Sequence, residues 1–185
     1  MLRSAGGERA SAGRQPLDHA GNPILAGDVD GDGTADLFVG AIGEGTSRGA
    51  IFVRYGPLGS SVSQARPDAR LVGAAAGDEA GCSVALVDLD GDSVLDMAVG
   101  ALGVDGTGTD SGAVAVVLGP ATGVVDLTAA DFTLVGSGAG SQAGEALSAA
   151  DVDGDGRDDL LIGGWMDSAA ANEAGAVWAM FSAAE

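Results

Sequence analysis

One acidic segment occurs three times in this chain of 185 residues, and its recurrence constrains the fold more than any other feature. The copies read GDVDGDGTADLFVGA from Gly27, VDLDGDSVLDMAVGA from Val87 and ADVDGDGRDDLLIGG from Ala150. Their first aspartates lie 60 and 63 residues apart. A period of this length indicates a repeat architecture, in which similar supersecondary units stack on one another.

Each repeat predicts short β-strands. A Gly-Ala pair opens an apolar run after every acidic segment, at Gly49, Gly112 and Gly175. Further apolar runs at 70–73 and 133–136 precede the second and third repeats. Such runs, bounded by Gly, Asp and Ser, are typical of strands, and the frequent glycines disfavour helices by about 1 kcal/mol each. In the second repeat, the strands around the acidic segment are expected at 83–87 and 97–101.

About four strands fit into one repeat, which predicts an all-β fold of three β-propeller blades, each with four antiparallel strands. Blade 1 is expected at residues 20–79, blade 2 at 80–142 and blade 3 at 143–185, the last without its outer strand. Residues 1–19 form an N-terminal segment, in which 10–13 align with a degenerate outer strand. Three blades do not close a ring. Either a homodimer closes a six-bladed ring, or a longer protein supplies further blades.

The acidic segments follow the spacing D-x-D-x-D-x-x-x-D, which predicts calcium loops. Alternate carboxylates and one backbone carbonyl supply the oxygen ligands that Ca²⁺ prefers. Solvated acidic turns are the alternative, but four unmatched carboxylates within nine residues repel one another. The predicted ligands are Asp28, Asp30, Asp32, Thr34 and Asp36 in the first loop, Asp88, Asp90, Asp92, Val94 and Asp96 in the second, and Asp151, Asp153, Asp155, Arg157 and Asp159 in the third.

The loops differ from helix–loop–helix calcium sites, which need a Glu at the twelfth position. That position holds Val39, Val99 and Ile162, so each loop is expected to join two strands. The sixth position is Gly in the outer loops but Ser93 in the middle one. A non-glycine residue at positive φ costs about 1–2 kcal/mol. We therefore expect three Ca²⁺ sites, of which the middle one is the weakest.

Composition excludes several classes of function. The chain has 27 acidic and 8 basic residues, a net charge of -19, which disfavours nucleic acid. No apolar run reaches the roughly 18 residues of a membrane span, so membrane insertion is not expected. His19 and Cys82 are the only residues of their types and have no evident catalytic partners, so we expect no enzyme.

The segment Asp36-Leu37-Phe38-Val39-Gly40-Ala41 and its two counterparts resemble FG-GAP repeats, the blades of the integrin α-subunit propeller and of many bacterial surface proteins. The resemblance covers about residues 20–181. It departs from the family pattern where Ala20, Ala80 and Ala143 replace the Phe of the "FG" element, and where the Pro of "GAP" is absent.

This resemblance implies an extracellular or cell-surface module for protein interaction or cell adhesion, with Ca²⁺ on one face and a partner on the other. A carbohydrate-binding or carbohydrate-active propeller, similar to a lectin or a polysaccharide lyase, is the alternative. The partner is thus a protein or a glycan. For each loop residue on the partner face, a solvated turn or ordinary packing competes with a binding role. The candidates are Arg48, Asp105, Asp110, Trp165 and Asn172.

Overall fold

The computed structural model describes residues 18–58 and 66–182, and this part of the chain is almost entirely β-structure. The predicted strand at 10–13 lies outside the described residues. None of the described helical turns is long and apolar enough to cross a membrane. The strands are β1 Ile24–Gly27, β2 Asp36–Ala41, β3 Ala50–Arg54, β4 Ala69–Val72, β5 Ala80–Val87, β6 Asp96–Ala101, β7 Ala113–Val117, β8 Gly123–Asp126, β9 Phe132–Val135, β10 Ala146–Ala150, β11 Asp159–Gly164 and β12 Ala176–Met180.

These strands form three sheets, one per repeat, which confirms the prediction of a partial propeller. Blade 1 has the order β1-β2-β3-β4, blade 2 has β5-β6-β7-β9, and blade 3 has β10-β11-β12. Every neighbouring pair within a blade is antiparallel. Two short helical turns, Glu44–Ser47 and a 3₁₀ turn at Leu127–Ala129, complete the described secondary structure.

Strand β8 was missed by sequence reasoning. It belongs to the connection between β7 and β9 of blade 2, yet it pairs in parallel with β4 of blade 1. At its end, the Asp126 carboxylate forms a 2.7 Å ion pair with Arg48 of blade 1. The strand therefore ties two blades together. Its formation depends on the open edge of a neighbouring blade, which no local pattern reveals.

Alternation of side chains along each strand builds two interfaces between the blades. Phe38 and Leu71 of blade 1 are fully buried in one cluster with Met97 and Val99 of blade 2. The opposite face of blade 2 forms a second cluster with blade 3, in which Ile162 is fully buried. Blade 2 is therefore covered on both faces, and its strands read as continuous apolar runs for that reason.

The outward faces of the two terminal blades differ. On blade 1, Phe52 is 1% exposed and carries the Arg70 guanidinium 5.7 Å from the centre of its ring. Arg70 also pairs with the buried Glu44. On blade 3, Val177 is 76% exposed and Phe181 is 58% exposed. The outward face of blade 3 thus leaves these two large apolar side chains open, whereas Phe52 on blade 1 is covered.

A glycine in the second strand of each blade sets how closely the next blade approaches. A Cβ on Gly100 of β6 would lie 2.0 Å from the carbonyl oxygen of Gly144 and 2.3 Å from Ser83 Oγ. Gly40 of β2 has the same kind of contact with the carbonyl oxygen of Gly81. Gly163 of β11 has no described blade beyond it, and its nearest contact would be at 3.4 Å.

We expect Gly100→Ala to lower the free energy of unfolding by about 1–3 kcal/mol, because the added methyl group forces the blades apart. Gly163→Ala is the matched control, since it adds the same methyl group at the equivalent position without a clash. Urea denaturation in millimolar Ca²⁺ measures both. Equal losses of unfolding free energy in the two variants would show that the close approach of the blades does not require glycine at position 100.

Candidate metal centre

The three acidic loops lie at the same edge of the stacked sheets. Each loop joins the first strand of a blade to the second, and the paired strands are in equivalent register. The last backbone pairs before the loops are Gly27 with Asp36, Val87 with Asp96 and Ala150 with Asp159. One sheet geometry therefore presents three similar loops, as the repeats predict.

Left-handed backbone at the fourth and sixth positions curls each loop. In the first loop, Gly31 has φ 73° and Gly33 has φ 86°. Ser93 takes the sixth position of the middle loop with φ 70°, the conformation that sequence analysis expected to be strained there. The curled backbone turns successive aspartate side chains toward one centre.

Carboxylate oxygens converge within 4.8 Å of one another in every loop. Two oxygens bound to one Ca²⁺ are at most about 5 Å apart, so this spacing suits a shared cation. The converging carboxylates occupy the first, third and fifth positions in the first loop, and the first, third and ninth in the other two. The groups are Asp28, Asp30 and Asp32; Asp88, Asp90 and Asp96; and Asp151, Asp153 and Asp159.

The other predicted ligands lie within the same loops but outside these converging groups. The fifth-position carboxylates accept the backbone N–H of the seventh residue, at 2.7 Å in the first and second loops and 2.9 Å in the third. The predicted role of the seventh-position carbonyls remains a prediction. The residues concerned are Asp36, Asp92 and Asp155, with Thr34, Val94 and Arg157 at the seventh position.

The ninth-position aspartate has a second role that sequence reasoning missed. Asp36, Asp96 and Asp159 are at most 1% exposed. In blade 2, Asp96 Oδ2 accepts the Leu89 N–H of its own loop at 2.9 Å, and Oδ1 accepts the Gly119 N–H after β7 at 3.1 Å. The other blades repeat both bonds. This aspartate clamps the acidic loop to the end of the third strand.

A weak sequence signal for this clamp exists. A Gly-Pro pair follows the third strand in blades 1 and 2, at Gly56 and Gly119, and both glycines donate their N–H to the clamping aspartate. Ser182 takes the same place in blade 3. The Gly-Pro pair recurs in the sequence, but it lies 20 or more residues after the aspartate that it contacts. The sequence alone therefore does not reveal this hydrogen bond.

The first loop contains one buried carboxylate oxygen without a hydrogen-bond partner. Asp28 Oδ1 is buried and has no hydrogen-bond partner among the described residues. In the other loops the equivalent Oδ1 accepts a backbone N–H, from Gly91 to Asp88 at 2.8 Å and from Gly154 to Asp151 at 2.7 Å. A buried carboxylate oxygen without a partner costs free energy that a bound cation would recover. The residues present thus fit Ca²⁺.

The electrostatics of the loops point the same way. Partial burial raises the pKa of Asp30, and the other carboxylates of its loop raise it further. Burial also raises the pKa of Asp96, with a smaller contribution from Asp90 and Asp88. Burial, followed by the charge of nearby aspartates, raises the pKa of Tyr55 to about 12. In each case burial is the main cause of the shift, and the charge of neighbouring aspartates adds to it.

Cys82 lies between blades 2 and 3, where its thiol donates to the carbonyl oxygen of Gly144 at 3.4 Å. Burial raises the pKa of this thiol to about 11, so that the unreactive protonated form dominates at neutral pH. His19 is exposed at the start of the described residues. The environment of Cys82 is that of a packed residue, and the environment of His19 is that of a solvent-exposed one.

The candidate partner residues lie on all three blades, in loops at the edge opposite the acidic loops. The Arg48 guanidinium already has partners within the protein, since it forms an ion pair with Asp126 and donates to the carbonyl oxygen of Gly73. Asp105 accepts the backbone N–H of Asp110 at 2.9 Å. Trp165 is 62% exposed, and its Nε1 donates to Gln142 at 2.7 Å. Asn172 is exposed.

We expect Ser93→Gly to tighten Ca²⁺ binding at the middle site by up to about tenfold, because glycine adopts the sixth-position conformation without strain. The reverse exchange, Gly33→Ser, should weaken the first site similarly. Calorimetric titration of both variants measures the effect. Unchanged affinities would show that the residue at the sixth position does not determine which of the three sites binds Ca²⁺ most weakly.

We expect Asp96→Asn to lower the free energy of unfolding by about 1.5–3 kcal/mol even in chelator, because it removes charged hydrogen bonds of the clamp. Asp90→Asn should leave stability in chelator nearly unchanged and lose only the stabilisation by Ca²⁺. Denaturation with and without Ca²⁺ separates the two. If both variants lose stability only in Ca²⁺, the clamp has no role of its own.

Comparison with known proteins agrees with this geometry. The model of the FG-GAP repeat matches residues 20–53, 80–117 and 143–180, together more than half of the chain. Each match covers the first three strands of one blade. No curated protein matches the chain. Three repeats of matched sequence, each folded into one blade with an acidic loop, place this chain in the FG-GAP repeat family.

Proposed function

We propose that this protein is a calcium-binding propeller module for extracellular protein interaction or adhesion. The observation that carries the proposal is the convergence of three carboxylates within 4.8 Å in the same loop of all three blades. Hard oxygen ligands in flexible loops suit Ca²⁺ better than Mg²⁺, which demands stricter geometry. In this proposal Ca²⁺ is structural: it neutralises the loops and stiffens the edge of the sheets.

The proposed location follows from the metal and the family. Sites of this kind fill at the millimolar Ca²⁺ concentrations found outside cells. Three Ca²⁺ ions would reduce the net charge from -19 to -13, which lowers repulsion in the folded state. FG-GAP repeats are typical of extracellular proteins.

We place the partner at the opposite edge, where loops of all three blades meet solvent, and assign the protein no catalytic role. The exposed Val177 and Phe181 on the outward face of blade 3 support a further blade packed there. A second copy would supply it in a six-bladed homodimer, and a longer protein would supply it from its own chain.

A glycan is the second candidate partner, favoured by one observation. Trp165 exposes 62% of its surface while Gln142 holds its Nε1 at 2.7 Å. An oriented, exposed indole offers a flat apolar face on which a sugar ring can stack, as in lectins or polysaccharide lyases.

The test of the proposed function is calorimetric titration with Ca²⁺, combined with light scattering in Ca²⁺ and in chelator. We expect Ca²⁺ binding that is lost in the triple variant Asp30→Asn, Asp90→Asn and Asp153→Asn. The control variant, Asp105→Asn, Asp110→Asn and Glu173→Gln, removes equal charge from the opposite edge and should bind Ca²⁺ normally. A mass near twice 17.8 kDa in Ca²⁺ alone would support the homodimer.

Retained Ca²⁺ binding in the loop variant would overturn the metal assignment. The partner class is decided separately, by screening the wild type and Trp165→Ala against glycans and candidate surface proteins in Ca²⁺. A sugar signal that disappears in Trp165→Ala would favour the glycan. Protein capture without a sugar signal would favour adhesion.

A further inference from the structure

Blade 2 lacks an aromatic side chain that the other two blades carry. The third residue of the third strand is Phe52 in blade 1 and Trp178 in blade 3, but Ala115 in blade 2. All three pair with the equivalent residue of the second strand in their blade. Trp178 packs into the interface with blade 2, so Ala115 leaves the corresponding space between blades 1 and 2 less filled.

A cavity of about 330 Å³ opens at this position. Ala101, Ala113 and Ala115 form its apolar wall, and Leu127 of the 3₁₀ turn closes one side. The loop that leaves blade 1 at Gly73 forms the opposite wall. The volume lies within the range of roughly 300–1,000 Å³ that is typical of small-molecule sites.

Two carboxylates line this cavity beside its alanine wall, together with Thr128 and Thr133. Asp78 is 7% exposed, and its Oδ2 accepts the N–H groups of Ala74 at 3.0 Å and Ala75 at 2.7 Å. Asp105 uses Oδ1 to accept the N–H of Asp110. Among the described residues, these bonds leave Asp78 Oδ1 and Asp105 Oδ2 for a ligand.

No described cationic side chain lines the cavity to neutralise these groups. Arg48 donates to the carbonyl oxygen of the lining residue Gly73, and its guanidinium is already paired with Asp126 at 2.7 Å. The cavity thus combines an apolar wall with two carboxylates that are not paired with any described cationic side chain.

We propose that this cavity binds a small organic cation that carries an aromatic ring, an arylalkylamine. The ring occupies the space that Phe52 and Trp178 fill in the other repeats, and the ammonium group meets Asp78 and Asp105. A neutral aromatic compound would cover these carboxylates without pairing them, which costs free energy. An inorganic cation would gain nothing from the alanine wall. The site lies away from the acidic loops, and the proposal does not depend on the proposed function.

The probe is 2-phenylethylamine, titrated calorimetrically into the full chain at saturating Ca²⁺. We expect binding at least tenfold tighter than that of its neutral analogue 2-phenylethanol and of butylamine, which lacks the ring. Ala115→Phe restores the aromatic residue of the other blades and should abolish binding. A thermal melt and a Ca²⁺ titration of this variant test whether it still folds.

Two charge variants keep the proposal testable if Ala115→Phe fails to fold. Asp78→Asn and Asp105→Asn should each weaken binding at least tenfold, whereas Glu173→Gln, the same change of charge on a blade 3 loop, should not. No measurable binding, equal binding of 2-phenylethanol, or wild-type binding by a folded Ala115→Phe would each overturn the assignment. Normal Ca²⁺ titration alongside such a result would leave the proposed function standing.

Discussion

The hydrogen bonds of the buried ninth-position aspartates hold each blade in the shape on which the rest of the structure depends. Asp96 binds one backbone N–H in its own loop and another beyond the third strand. It thereby connects the acidic loop, the second strand and the end of the third strand. The same two bonds recur in blades 1 and 3. A carboxylate held in this way presents the loop to solvent in one conformation and concentrates negative charge there.

Small residues line the contacts between the blades, and they have two opposite effects. Glycine allows the blades to approach closely, whereas alanine leaves space between them. Gly40 and Gly100 allow the next blade to approach to a distance that no side chain would permit. Alanine at position 115 instead leaves space, because blades 1 and 2 cannot approach further to fill it. Close backbone contact at Gly40 and an open cavity at Ala115 therefore occur in the same interface between blades 1 and 2.

Sequence reasoning recovered the repeats, most strands and the position of the acidic loops. Short apolar runs and the spacing of carboxylates are local features, and each has a direct physical meaning. It did not foresee β8, the pairing of Arg48 with Asp126, or the clamping role of Asp36 and its counterparts. Each of these joins residues that lie 20 or more positions apart. No short window of sequence contains both partners.

Residue type and local order suffice to give the repeat number, the strand content, the acidity and the spacing of the candidate ligands. The folded arrangement of the blades was needed to show which carboxylates converge, which aspartates are buried with backbone partners, and which interface contains a cavity. It also decided that Phe52 is covered while Val177 is exposed, although both belong to equivalent strands. These properties depend on the neighbours of each blade. The repeats are similar in sequence, so the difference between the two terminal blades becomes visible only in the folded stack.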